Sequence, residues 1–124
     1  MGKLLCSIAL LTLSLAALAG ELPFDQAQFE QARTAGRPVV VFFHADWCPT
    51  CRVQQPIINR LSAEPQFRPL TIFVADYDSE VALEKSLNVT QQSTLVVFRQ
   101  GREVTRSTGQ TGEAALRATL QQAL

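Results

Sequence analysis

Residues 39–52, VVVFFHADWCPTCR, limit the possible folds more than any other stretch of the chain. Val39 to Phe43 are five β-branched or aromatic residues in a row. A run this apolar reads as a central strand covered on both faces. A helical pattern follows over residues 49–63. Pro49 suits its first position, because that position needs no amide donor. Val53, Ile57, Ile58 and Leu61 are expected on its buried face, and Pro56 should kink it. Cys48 therefore falls at the point where a strand hands over to a helix, with Cys51 one turn further on.

The remaining pattern surrounds this unit. Asp25 is a plausible N-cap for a helix over 26–35, closed by Gly36 and Pro38. Residues 64–69 read as a loop and 70–75 as a second apolar strand. Residues 76–79 form a polar turn, in which Asp78 or Ser79 can cap a helix reaching Leu87. Asp76 and Asp78 are read as solvent-facing turn residues rather than a cation site. Residues 94–99 and 103–107 form a hairpin around Gln100-Gly101. Thr111 or Gly112 opens a last helix with Leu116 and Leu120 on its buried side. The order αβαβαββα implies an α/β fold. Its mixed sheet has about four strands, with a parallel crossover, an antiparallel edge and helices on both faces.

Composition narrows the function. The chain has 124 residues, enough for one domain. Positive and negative charges balance, so nothing points to nucleic acid or an anionic membrane as partner. Residues 1–19 stand apart: Lys3, an apolar run to Leu18, and a small-x-small ending, Ala17-Leu18-Ala19. That is the anatomy of an export signal cleaved after Ala19, leaving a domain over 20–124. Read as an uncleaved anchor, the run of fifteen is short against the roughly 20 residues of a span. Cys6 leaves with such a signal. Asn88-Val89-Thr90 matches a glycosylation sequon, which matters only in a eukaryotic secretory pathway.

Two cysteines then remain, too few for a disulfide framework. Their two-residue spacing closes a loop so small that a structural staple removes little chain entropy. Placed at a helix start, Cys48 gains free amides and the positive end of the helix dipole. Its thiol should ionise below the free value of about 8.5, and it should be reachable from outside. Cys51 can attack the Cys48 sulfur once a mixed disulfide exists. Arg52 adds a nearby cation.

On these residues the chain resembles the thioredoxin superfamily, in which an apolar strand leads into a small residue, Trp and Cys-x-x-Cys. Pro56 matches the proline of the family's active-site helix, and Gly101 and Gly109 match two recurring glycines. Gly36-Arg37-Pro38 before the strand is more similar to exported members, above all the periplasmic C-terminal domain of transmembrane thiol–disulfide transporters. The resemblance implies that Cys48 attacks, that Cys51 resolves, and that Trp47, Pro49, Thr50, Ser93 and Thr94 form the substrate surface. It implies a cofactor-free, monomeric thiol–disulfide oxidoreductase in the periplasm. Protein thiols or disulfides would be its substrates. The lean is towards reductase, with a membrane protein as electron donor.

Three positions depart from the family pattern. Ser93 stands where the family has a cis-proline, and a cis bond before a non-proline residue costs about 2.5–4 kcal/mol. Either that strain is tolerated or the loop turns differently. Phe42 replaces the buried acid behind the cysteines, and Val74 the lysine that often accompanies it. Proton handling for Cys51 then falls to His44 or Asp46. His44 itself stands where the family often carries an aromatic ring. Two alternatives remain: a zinc or copper module using Cys48, Cys51 and His44, although structural zinc usually takes four protein ligands, and a redox-inactive docking domain that keeps the fold, against which the intact cysteine pair argues.

Overall fold

The computed structural model describes residues 20–124. The expected export signal over 1–19 and Cys6 lie outside the described residues. In chain order the elements are β1 (Gly20–Pro23), α1 (Gln26–Thr34), β2 (Val39–His44) and α2 (Pro49–Ser62). A 3-10 turn (Pro65–Phe67) follows, then β3 (Thr71–Asp76), α3 (Val81–Leu87), β4 (Thr94–Arg99), β5 (Arg102–Thr108) and α4 (Glu113–Gln121). Each element expected from the sequence is present close to its expected bounds. The strand count is corrected from about four to five, because β1 precedes the first helix. Gly-Glu-Leu-Pro has no strand propensity of its own. It is a strand because the edge of β3 accepts it in parallel, Gly20 opposite Thr71 through Pro23 opposite Val74. An edge strand tolerates the missing proline donor.

The strands lie in the order β1-β3-β2-β4-β5. β2 is central, parallel to β3 and antiparallel to β4, and all six of its residues are buried. Its side chains alternate between faces. Val40 and Phe42 join Ile58, Leu61, Leu116 and Leu120 under α2 and α4. Val39, Val41 and Phe43 join Phe29, Ala32 and Leu83 under α1 and α3. A strand held on both faces and both edges is a rigid base for whatever follows its last residue.

Capping agrees with the sequence at two helices and not at a third. The Asp25 carboxylate accepts the Gln28 amide at 2.8 Å to start α1, and Gly112 precedes α4. At α3 the N-cap is Glu80, with no side-chain cap bond, instead of Asp78 or Ser79. The buried stripe of α2 is also rotated from the expected one. Cys51, Gln54, Ile58 and Leu61 face inward, whereas Val53 is 49% exposed. Pro56 lies on the exposed side of α2, where losing the amide that would reach the Arg52 carbonyl is least damaging.

The hairpin between β4 and β5 turns at Gln100 and Gly101, with φ of 52° and 79°. Such mirror-image turns follow the twist of paired strands. A Cβ on Gly101 would stand 3.1 Å from the Arg33 carbonyl oxygen. The Arg33 guanidinium lies over the Phe29 and Phe98 rings at 5.4 and 5.1 Å.

Phe29 meets Phe24, Phe73 and Phe98 ring to ring and is 1% exposed. Phe29→Ala should lower the unfolding free energy by about 3–5 kcal/mol, read from urea denaturation. A loss below about 1 kcal/mol would show that this face of the sheet is not the packed core described.

Candidate active site

The site grows from the end of β2. After His44 the chain turns through Ala45, Asp46 and Trp47, closed by the Cys48 amide donating to the Ala45 carbonyl at 3.1 Å. Cys48 is the N-cap of α2, with extended backbone (φ −82°, ψ 113°). Its Sγ accepts the Cys51 amide at 3.2 Å. The sulfur thus occupies the place that a serine or aspartate oxygen takes in an ordinary cap. An anion at this position meets a free amide and the positive end of the helix.

The loop before β4 completes the site. Every peptide bond in the described residues is trans, and Ser93 instead adopts a left-handed backbone, φ 63°. The loop therefore turns differently from one carrying a cis bond. The Ser93 amide donates to the Phe43 carbonyl at 2.9 Å, and its carbonyl accepts the Gly109 amide at 3.0 Å. Gln54 Nε2 donates to the same carbonyl at 3.3 Å and to the Gln110 carbonyl at 2.8 Å. So held, Ser93 Oγ lies 3.2 Å from Cys48 Sγ and 3.3 Å from Cys51 Sγ.

This packing corrects one expectation. Cys48 is 1% exposed and Cys51 fully buried, so the resting dithiol does not present an open sulfur. The Ser93 loop seated on both sulfurs is the reason. Asp46, Trp47 and Pro49, the residues on either side of Cys48, are all exposed.

The two thiols are driven apart. Burial pushes the Cys48 thiol up, but hydrogen bonds from Cys51, from the Ser93 hydroxyl and from the backbone of Cys51 and Thr50 outweigh it. Cys48 ends below the ordinary thiol range. Burial pushes Cys51 up, and its bond to Cys48 and the charge there push further, against weaker relief from Ser93 and Ala45. The two shifts run in opposite directions, so Cys48 ionises before Cys51.

The other expected residues are placed as follows. Trp47 is 56% exposed, and its Nε1 donates to Asp78 Oδ2 at 2.7 Å. His44 Nδ1 is 3.7 Å from Asp46 Oδ1, and its buried Nε2 has no protein partner. Neither His44 nor Asp46 hydrogen-bonds a sulfur among the described residues, so proton handling is not routed through them by any contact. The Thr94 hydroxyl donates to the Gln91 carbonyl at 2.8 Å and pairs with Thr108 at 2.9 Å, which braces the Ser93 loop. Thr50 is half-buried and Arg52 exposed. His44, Asp46, Trp47, Val74, Asp76 and Asp78 line a cleft of about 310 Å³ beside the cysteines. Among the described residues no three His, Cys, Asp or Glu side chains gather closely enough to hold a metal. His44 does not join the cysteines as the zinc or copper alternative requires.

Two residues of the site escaped the sequence reading. Gln54 is fully buried and clamps the Ser93 loop to α2. Its trace in the sequence is a polar residue in phase with Cys51, Ile58 and Leu61. Asp78 pins the Trp47 indole, which a turn composition alone does not reveal.

The thioredoxin family model matches residues 21–122. The chain belongs to the thioredoxin family. Thioredoxin from Mycobacterium bovis is 31% identical over 83 residues, 67% of this chain and 71% of that protein. A bifunctional thioredoxin reductase/thioredoxin from Mycobacterium leprae is 30% identical over 92 residues, 74% of this chain but 20% of its own length. Among solved structures, Trxlp from Edwardsiella tarda has a TM-score of 0.79 at 41% identity, covering 82% of this chain and 98% of that one. As a thioredoxin-family member with a Cys-x-x-Cys pair, the chain is a thiol–disulfide oxidoreductase.

The opposed thiol shifts set a pH dependence for the reduced thioredoxin domain. A depressed Cys48 stabilises the folded state increasingly as pH rises from its folded value to the unfolded value, about 8.5. A raised Cys51 withdraws stability above that value. The reduced form should therefore gain melting temperature relative to the disulfide form up to about pH 8.5, then lose it. Paired thermal melts across this range check it, and a monotonic difference would contradict the two opposed shifts.

Proposed function

We propose that this thioredoxin-family domain is an exported protein-disulfide reductase, with Cys48 as attacking and Cys51 as resolving thiol. The observation that carries the roles is the Cys51 amide on Cys48 Sγ at 3.2 Å, which stabilises a thiolate on the first sulfur only. The Cys48 thiolate attacks one sulfur of a substrate disulfide. That S–S bond breaks, one substrate sulfur leaves as thiolate, and a mixed disulfide forms. Cys51 then attacks Cys48 Sγ, the second substrate thiol departs, and the protein is left with a Cys48–Cys51 disulfide. No cofactor enters this cycle. The substrate is a protein chain laid across Trp47, Pro49, Thr50 and the loop at Ser93 and Thr94. Since both sulfurs are enclosed at rest, docking must first move this loop or the Trp47 turn.

Export rests on the Lys3-to-Ala19 segment. An oxidising compartment requires an electron donor for a reductase, and the resemblance to transporter domains favours a membrane protein. The domain acts as a monomer in this reading.

Cys51→Ala should accumulate periplasmic proteins as mixed disulfides through Cys48, identifiable by mass spectrometry. The Cys48→Ala variant should accumulate none. An absence of adducts with Cys51→Ala would overturn the assigned roles. Equilibration of the unsubstituted protein with glutathione tests direction: a potential near about −120 mV, that of a strong oxidant, would overturn the reductase.

A further inference from the structure

We propose that the Ser93 hydroxyl is a proton switch between the two sulfurs, donating to Cys48 at rest and accepting the Cys51 proton when Cys51 attacks. The inference deepens the oxidoreductase reading and rests on it. A hydroxyl carries one hydrogen and two lone pairs. Ser93 Oγ is within 3.2 Å of one sulfur and 3.3 Å of the other, yet it can donate to only one of them at a time. In the reduced pair its hydrogen and the Cys51 S–H both point to Cys48 Sγ, which leaves a Ser93 lone pair free 3.3 Å from Cys51 Sγ. Once Cys48 is joined to a substrate it carries no charge, and the hydrogen is released for another acceptor.

The resolving step then balances through Ser93. The Cys51 S–H bond breaks and its proton passes to Ser93 Oγ. The hydrogen that Ser93 already held passes to the departing substrate sulfur. The electron pair left on Cys51 Sγ forms the bond to Cys48 Sγ, and the Cys48–substrate S–S bond breaks. The substrate sulfur leaves as a thiol, reduced, while the cysteine pair is oxidised to a disulfide. Ser93 ends as it began, a neutral hydroxyl.

Surrounding residues leave this task to Ser93. Phe42, on β2 behind the cysteines, is fully buried and apolar, and Val74 on β3 brings no charge. His44 and Asp46 lie close to each other, and Asp78 holds Trp47. Asp76 accepts from its own turn, and Arg52 on α2 faces solvent. None of these hydrogen-bonds a sulfur among the described residues. Ser93 is 4% exposed and is held at a φ that strains any residue with a Cβ. Glycine would sit there unstrained, so what the side chain contributes is its contact with both sulfurs. Fully buried Gln54 fixes the loop to the helix that carries those sulfurs.

The test uses the full chain with Cys6→Ser, so that two thiols report, in Ser93→Ala and Ser93→Gly forms. Glycine relieves the backbone strain and alanine keeps it, while both remove the hydroxyl. Thermal melts confirm folding, and the glycine form decides if alanine fails to fold. Rapid mixing of the reduced protein with oxidised glutathione, quenched in acid and read by mass, separates attack from resolution. Both variants should lose about tenfold or more in the resolution rate, and about tenfold in Cys48 alkylation rate at pH 6, the size expected for one hydrogen bond to a charged group. Rates within twofold of the parent in the glycine variant, or opposite changes in the two variants, would overturn the switch. If the parent forms no mixed disulfide through Cys48, the oxidoreductase reading fails instead, and the switch with it.

Discussion

The bond from the Cys51 amide to the Cys48 sulfur is the contact on which the rest of the site depends. It exists because α2 begins at Pro49, and α2 begins there because β2 delivers the chain to that point. β2 is buried on both faces and paired on both edges, so its last residue has little freedom. Proline at the first helical position asks for no partner, and the first free amides of the helix are left for the sulfur. A cap that usually stabilises a helix by about 0.5–2 kcal/mol here also selects which of two thiols ionises.

Around that contact the chemistry is apolar. The strand behind the cysteines carries Phe42 and its neighbour carries Val74, where a carboxylate and a lysine would be at home. Apolar walls raise the buried thiol and keep Cys51 protonated until it is needed. They also remove the obvious group to take its proton. The polar side chain that remains within reach of both sulfurs is that of Ser93, whose loop is held to α2 by Gln54 and to β2 by the Phe43 carbonyl. A loop that supports both sulfurs also covers them. The site is therefore closed at rest, and recognition of a substrate has to include opening it.

Much of this was legible in the residues. The five-residue apolar run of β2, the proline after Cys48, the Asp25 cap and the Gln100-Gly101 turn are local signals, and local signals survive in the fold. What was not legible depended on partners distant in sequence. β1 is a strand only because β3 has an edge to lend. The stripe of α2 was misphased because Val53 looks like a core residue and Gln54 does not, while the tertiary requirement is for an amide that can reach two carbonyls. Trp47 and Asp78 meet across 31 positions of chain. Ser93 could be recognised as a departure, but its left-handed backbone and its place between two sulfurs are set by contacts with β2, α2 and Gly109.

The central claim is that the two thiols are driven in opposite directions. The direct measurement is a nuclear magnetic resonance titration of the reduced protein with carbon-13 at both cysteine Cβ atoms. The account predicts that Cys48 titrates first, below the free value of about 8.5, and Cys51 afterwards, above it. The reverse order, or a common midpoint at the free value, would contradict it.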